Sequence, residues 1–201
     1  MRNLAGTGGV RTGNPSNMTT EPVEPSDADL VARARAGDDA AFGALVGRHQ
    51  AAALRLAAAI SGSVDDAPDI AQEALVKAHR SLAKLTDPSM LRPWMMRIVA
   101  NEAKNHLRSR DRRRTREERF GAWVVAAMPD PEASTLDADD ARSLSVALGH
   151  IAARDRQVLA FRYFAGLSEA ETARALDVPA GTVKSRTARA LARLRVEMGP
   201  Q

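Results

Sequence analysis

The sequence predicts an all-α protein of two small helical domains joined by a flexible acidic linker. Three observations carry that expectation. Apolar residues recur at helical spacing along most of the chain, no segment alternates as a strand does, and a proline-bearing acidic stretch interrupts the pattern near residue 130. A length of 201 residues fits one domain or two small ones. Aromatic residues make up only 3% of the chain, which disfavours an aromatic-rich β-sandwich or barrel. The chain has no cysteine, which excludes disulfides, thiolate metal sites and cysteine nucleophiles. No apolar run approaches the roughly 20 residues of a membrane span, and no signal-like stretch opens the chain, so a cytoplasmic location is expected.

Residues 1–26 hold Pro15, Pro22 and Pro25 among Gly, Thr, Asn and Ser, and are expected to form a disordered leader. Met18 precedes a more ordinary start, and no function attaches to the first 17 residues. Ser26 with Asp29 resembles an N-terminal cap and opens a short helix that ends at Gly37. Asp38 can cap a second helix, with Phe42, Leu45, Val46, His49, Ala53, Leu56 and Ile60 on one stripe and Gly62 as its stop. A third helix starts around Asp66 to Pro68, proline being tolerated in a first turn, and its stripe is Ile70, Ala74, Leu75, Ala78, Leu82 and Leu85. Residues 86–89 are a turn. A fourth, long helix is expected from about Leu91 to Arg119, with Trp94, Met95, Ile98 and Leu107 toward a core.

The segment from Pro129 to Asp140 carries Asp130, Glu132, Asp137, Asp139 and Asp140 with no basic residue, and its prolines mark it as linker. Residues 141–195 are helical again. There, Ser168 and Glu171 form a capping box for a helix ending near Leu176. Asp177, Val178 and Pro179 break the chain before a second helix from about Ala180 to Arg195, which is the layout of a helix-turn-helix. Many such motifs have glycine where Asp177 stands, and Asp tolerates unusual backbone conformations well.

Three surfaces could carry function. On the last helix Val183, Thr187, Ala190, Leu191 and Leu194 share one side, with Thr182, Ser185, Arg186, Arg189 and Arg193 opposite. That helix has five basic residues and no acid up to Arg195. Arginine forks onto guanine edges or holds phosphates, and small polar side chains permit close approach, so DNA reading explains this face better than a merely solvated one. The second surface is the fourth helix. Between residues 104 and 119 it has eight cations against three acids, and Arg97, Asn101 and Asn105 lie upstream at helical spacing. Such a face can follow a nucleic-acid backbone while the amides meet base edges. Trp94 could stack on a base, although a core position suits it better. The third surface is acidic: Asp69, Gln72 and Glu73, with Arg80, project opposite the apolar stripe of the third helix, behind Asp65 and Asp66. Early acids suit a helix dipole, but phosphate would repel them, and a basic protein partner fits better.

Enzymatic readings find little support. His49, His79, His106 and His150 are widely separated, Glu169 and Glu171 are explained by capping, and there is no Gly-rich phosphate loop or nucleophile elbow, so neither catalysis nor a metal or other cofactor is expected.

Three stretches in this order resemble the extracytoplasmic-function group of bacterial sigma-70 factors, the promoter-specificity subunits of RNA polymerase. They are residues 65–75, Trp94 to Arg108, and Val178 to Arg186, and the likeness extends over about Asp27 to Arg195. The resemblance implies sigma domain 2 over 27–119, a linker over 120–140, and sigma domain 4 over 141–198. It assigns Asp69, Gln72 and Glu73 to docking on the coiled-coil clamp of the polymerase β′ subunit. Arg97, Asn101, Lys104, Asn105 and Arg108 then read the minus-ten element, and the preceding loop from about Lys84 to Leu91 shapes a pocket for a flipped base. Thr182, Lys184, Ser185, Arg186 and Arg189 read the minus-thirty-five element. The chain departs from the family at Met90 and Leu91, where a bulky aromatic is frequent. Core RNA polymerase through β′ and β, promoter DNA and an anti-sigma factor are the implied partners. The competing readings are a stand-alone dimeric regulator, which needs a two-fold-symmetric operator, and a protein-interaction adaptor. Run-off transcription with core polymerase separates all three.

Overall fold

Local caps and breakers decide where each helix begins and ends. In the computed structural model, which describes residues 24–113 and 138–199, the N-terminal helices are α1 (Asp27–Arg35), α2 (Asp39–Ser61), α3 (Ala67–Ser81) and α4 (Leu91–Arg113). They are followed by α5 (Ala138–Gly149), α6 (Ala153–Leu159), α7 (Glu169–Leu176) and α8 (Ala180–Met198). No strand occurs among the described residues. Ser26 and Asp29 form a complete capping box on α1. Asp38 accepts the Ala41 N–H at 3.1 Å to cap α2. Gly62 ends α2 in the left-handed region at φ 69°, where a Cβ is unfavourable. Asp66 precedes α3 without capping it; its carboxylate is drawn to His106 Nε2 at 3.2 Å and Arg110 Nη1 at 3.4 Å on α4.

α3 is shorter than its apolar stripe suggested. It stops at Ser81, whose hydroxyl donates back to Lys77 O at 2.6 Å, and such i−4 back-bonding loosens a helix end. A 3-10 turn, Leu82–Lys84, follows, so Leu82 and Leu85 reach the core from a turn and from the extended residue after it. At the other boundary, residues 138–140 form the first turn of α5, although composition placed them in the linker. The expected end of the fourth helix at 114–119, the rest of the linker and leader residues 1–23 lie outside the described residues.

The N-terminal bundle packs on alanine. Ala53, Ala57, Ala59, Ala74, Ala78 and Ala103 are all buried between α2, α3 and α4, which lets the helices approach closely. Leu45, Leu56, Leu91, Met95, Met96 and Val99 fill the remaining space without exposure above 1%. Trp94 and Ile98 are partly buried against this core, so Trp94 serves packing. Among the C-terminal helices, Leu148, Ile151, Leu159 and Ala190 make one small cluster, and Val158, Ala173 and Val183 make another.

The two helical groups are not independent. After α6 the chain widens into a π-helical turn, Ala160–Phe164, which sends Phe161 into the N-terminal core. Ala160, Phe161, Ala165, Leu167 and Ala175 all belong to that shared cluster. Nothing in the apolar periodicity announces this union, because each helix already has a sufficient stripe within its own group.

Candidate nucleic-acid interface and docking face

The helix-turn-helix forms by local rules. The Ser168 hydroxyl accepts the Glu171 N–H at 3.1 Å, and the Glu171 carboxylate accepts the Ser168 N–H at 2.8 Å. Burial acts to raise the Glu171 pKa, but the bonds from Ser168 and the charges of Arg92 and Arg174 outweigh it and hold the carboxylate below its ordinary value. α7 ends at Asp177, which adopts the left-handed conformation at φ 53° and is the one non-glycine residue with positive φ among those described. Pro179 follows, and α8 starts at Ala180. Val183 and Ala190 are fully buried on the inner side of α8, which turns the opposite side outward.

On that outer side Lys184, Ser185 and Arg189 are exposed, whereas Thr182 and Arg186 are half-buried. The Ser185 hydroxyl donates to Thr182 O at 3.1 Å, which fixes its rotamer beside the helix start. Arg189 lies 3.5 Å from Asp155, and Arg193 pairs with Glu197 at 2.8 Å. Both guanidiniums are more than half exposed, at 66% and 57%, and so remain accessible to a polyanion.

On α4, Arg97, Asn101, Asn105 and Arg108 are exposed and Lys104 is half-buried. Burial and the neighbouring charge of Arg108 lower the Lys104 pKa. Arg97, Asn101 and Lys104 line a cleft of about 220 Å³ together with Gln157, Asp177 and Arg186 from the C-terminal group. The structure thus brings together three of the five α4 residues and one α8 residue, and leaves Asn105 and Arg108 outside that cleft.

The acidic residues of α3 lie outside that cleft. Asp69, Gln72 and Glu73 are exposed on α3 and share a shallow depression with Val76, Lys77 and Arg80. Gln72 also borders an apolar groove between α2 and α3 lined by Phe42, Val46, Leu54, Leu75 and Val76. Leu54 and Val76 are 37% and 43% exposed, so an apolar strip lies beside the acids. The Phe42 and His79 rings meet at one end of the groove with centroids 4.6 Å apart. The four histidines stay separate: His49 pairs with Asp27, His79 with Asp39, His106 with Asp66 and His150 with Glu197.

Sequence reasoning missed Arg55, Arg92 and Gly166, which join the two groups. Isolated arginines on exposed helix positions look like solubilising charge, and their partners are backbone carbonyls that no side-chain pattern reveals.

A helix-turn-helix with a cationic outer face, a second cationic helix and exposed acids on α3 are the features of a helical DNA-binding protein. The Sigma-70 region 2 family matches residues 45–113, and Sigma-70 region 4 matches residues 141–194. An ECF RNA polymerase sigma factor, SigM of Mycobacterium tuberculosis, is 36% identical over 88% of this chain and 86% of its own length. The ECF sigma-E factor of Escherichia coli is 33% identical over 82% and 90%. Among solved structures, CnrH in complex with the cytosolic domain of CnrY is 27% identical, covers 85% of this chain and 95% of its own, and superposes with a TM-score of 0.63. The sigma factor RpoE of Bartonella quintana, in complex with the anti-sigma factor NepR, is 25% identical over 78% and 96%, also at a TM-score of 0.63. The chain belongs to the ECF group of the sigma-70 family, the RNA polymerase sigma factors that direct core enzyme to promoters.

Proposed function

We propose that this sigma factor divides its work among three surfaces, and that the observation carrying the division is the exposure of Asp69, Gln72 and Glu73 on α3, outside the cleft that the cationic residues of α4 and α8 share. Asp69, Gln72 and Glu73 dock on a basic coiled-coil clamp of the polymerase β′ subunit, and the neighbouring apolar groove buries nonpolar side chains of the same partner. Arg97, Asn101, Lys104, Asn105 and Arg108 bind the minus-ten element. Thr182, Lys184, Ser185, Arg186 and Arg189 bind the minus-thirty-five element in the major groove, with support from β in the holoenzyme. The working domains are 27–119 and 141–198, joined by the acidic linker.

Opening follows from binding energy. The upstream reader positions the α4 surface over the downstream element, and bases captured in single-stranded form offset part of their unstacking cost, which biases the duplex toward melting. No covalent step is assigned to the protein. It acts in the cytoplasm, where polymerase and promoter DNA meet, and an anti-sigma factor is the partner expected to restrain it. Among the described residues, no helix is long and apolar enough to cross a membrane.

The test is Asp69→Lys. This exposed substitution reverses one docking charge and leaves the core intact. Core polymerase association and promoter-specific run-off are expected to be lost together while the helical circular dichroism persists. Retained association would overturn the docking assignment.

A further inference from the structure

One stripe of α4 faces the C-terminal helices across the cleft of about 220 Å³. Helical spacing puts Arg97, Asn101 and Lys104 on one side of α4, and together they form one wall. Arg186 of α8 and Gln157 of α6 supply the other, over the buried Phe161 and Ala175. Main-chain contacts fix the two walls. Arg55 Nε donates to Phe164 O at 2.9 Å, and Arg92 Nη2 donates to Ala165 O at 3.0 Å and Gly166 O at 2.9 Å. A cleft assembled before its ligand arrives loses little ordering entropy on binding.

Charge in this cleft is one-sided. The cations Arg97, Lys104 and Arg186 meet the single acid Asp177, and none of the three has a carboxylate partner among the described residues. Cations elsewhere are paired: Arg48 with Asp27, Lys77 with Glu102 and Arg110 with Asp66. Lys104 is half-buried, and burial together with the charge of Arg108 lowers its pKa. Positive charge gathered in a concave site with apolar walls focuses the field and draws anions. Arginine forks match phosphate oxygens in pairs, Lys104 adds a point charge, and the Asn101 and Gln157 amides add donors. The cleft is smaller than the roughly 300–1,000 Å³ of drug-sized pockets. Its one ring, Phe161, is fully buried and offers no face on which a base could stack. Both features suit a compact ligand recognised by its charge.

We propose that this cleft is a binding site for an oligophosphate, a small anion of two or three linked phosphates held between α4 and α8. Inorganic tripolyphosphate and the phosphate tail of a nucleotide share this chemistry, and a nucleotide would leave its base in solvent. The site goes beyond the promoter reading but shares residues with it. When occupied, it withdraws Arg97, Lys104 and Arg186 from DNA, so the anion competes with promoter phosphates. Only this competition rests on the promoter reading; the anion site itself stands on the cleft.

The test is calorimetry of the full-length chain with tripolyphosphate, in magnesium-free buffer at matched ionic strength. One saturable site is expected, with orthophosphate about tenfold weaker or more, because it reaches fewer of the cations. Lys104→Ala and Arg186→Ala should each weaken tripolyphosphate by about tenfold or more, since each removes a charge-assisted contact. Arg154→Ala removes an exposed cation of α6 outside the cleft and should leave the affinity within about twofold. Far-UV circular dichroism checks folding. Should an alanine variant unfold, Lys104→Gln and Arg186→Gln, which keep most of the side-chain stem, must show the same loss. A nucleoside triphosphate that binds more tightly than tripolyphosphate assigns the site to a nucleotide; equal or weaker binding assigns it to an inorganic oligophosphate. No saturable site, or a loss in Arg154→Ala equal to that of the cleft variants, overturns the proposal. Fluorescence anisotropy with a minus-thirty-five duplex tests the promoter reading separately, and saturating tripolyphosphate should weaken that duplex by about tenfold or more. Duplex binding by a chain with no anion site defeats only the proposal. An anion site that the cleft variants abolish, but that leaves duplex binding unchanged, defeats the promoter role of Arg186.

Discussion

His49 Nε2 lies 2.7 Å from Asp27 Oδ2, and the same carboxylate accepts from Arg48 Nη1 at 2.8 Å, so one acid at the start of α1 fastens that helix to α2. His49 is only 8% exposed, which makes the lost acceptor costly to replace with water. Asp27→Ala is expected to cost about 1–3 kcal/mol. Urea unfolding checks it: the midpoint should fall while the slope stays constant.

The same carboxylate sets an acid limit. Burial acts to raise the Asp27 pKa, but hydrogen bonds from Arg48 and His49 prevail and hold it below the ordinary value. A depressed carboxylate contributes stability that is complete above its unfolded pKa of about 3.9 and is lost as pH falls through its folded value. Unfolding measured from about pH 6 down to about pH 2 should therefore show the native chain losing stability more steeply below about pH 4 than Asp27→Asn.

Asp177 offers a test of backbone strain. At φ 53° and ψ 52° it occupies a conformation that disfavours a Cβ. Asp177→Gly should be neutral or stabilising, and Asp177→Ala should be less stable than Asp177→Gly by about 1 kcal/mol. Thermal unfolding of the pair gives the difference directly. Because Asp177 faces the cleft with Arg186, promoter binding should be compared after correcting for stability.

Phe161 carries the apolar half of the contact between the two groups and is fully buried. Phe161→Ala is expected to cost about 3–5 kcal/mol in global unfolding. A loss well below about 2 kcal/mol would mean that the C-terminal group contributes little to the stability of the N-terminal core.

For the upstream reader, Arg186→Ala should weaken binding to a minus-thirty-five duplex by about 1–3 kcal/mol and relax preference at one base pair. Arg193→Ala, already paired with Glu197 at 2.8 Å, should weaken all sequences alike and lower the salt dependence. Fluorescence anisotropy at two salt concentrations distinguishes a base contact from a phosphate contact.

The helix ends were legible because their causes are local. Ser26, Asp38, Gly62, Ser168 and Asp177 each act within four residues of themselves, and the structure finds each performing the expected capping or stop. The cationic and acidic faces were legible for a similar reason, since helical spacing alone puts Val183 inward and Lys184 outward. Long-range features were not. Phe161 has no feature in the sequence that singles it out, yet a π-helical turn aims it into the other group. His49 was placed on an apolar stripe, but its burial depends on Asp27, 22 positions earlier. Arg55 and Arg92 spend their bonds on main-chain oxygens, which have no identity in a sequence.

The alanine-lined contact between α2, α3 and α4 inverts the usual sensitivity of a protein interior. Where Ala53, Ala57, Ala74, Ala78 and Ala103 meet, there is almost no volume to remove and almost none to add. Enlarging any of them by a few methylenes would wedge neighbouring main chains apart, at about 1–3 kcal/mol or more. Variation within this bundle is thus confined by thickness, and new specificity has to arise on the outward faces, where side-chain size is unconstrained.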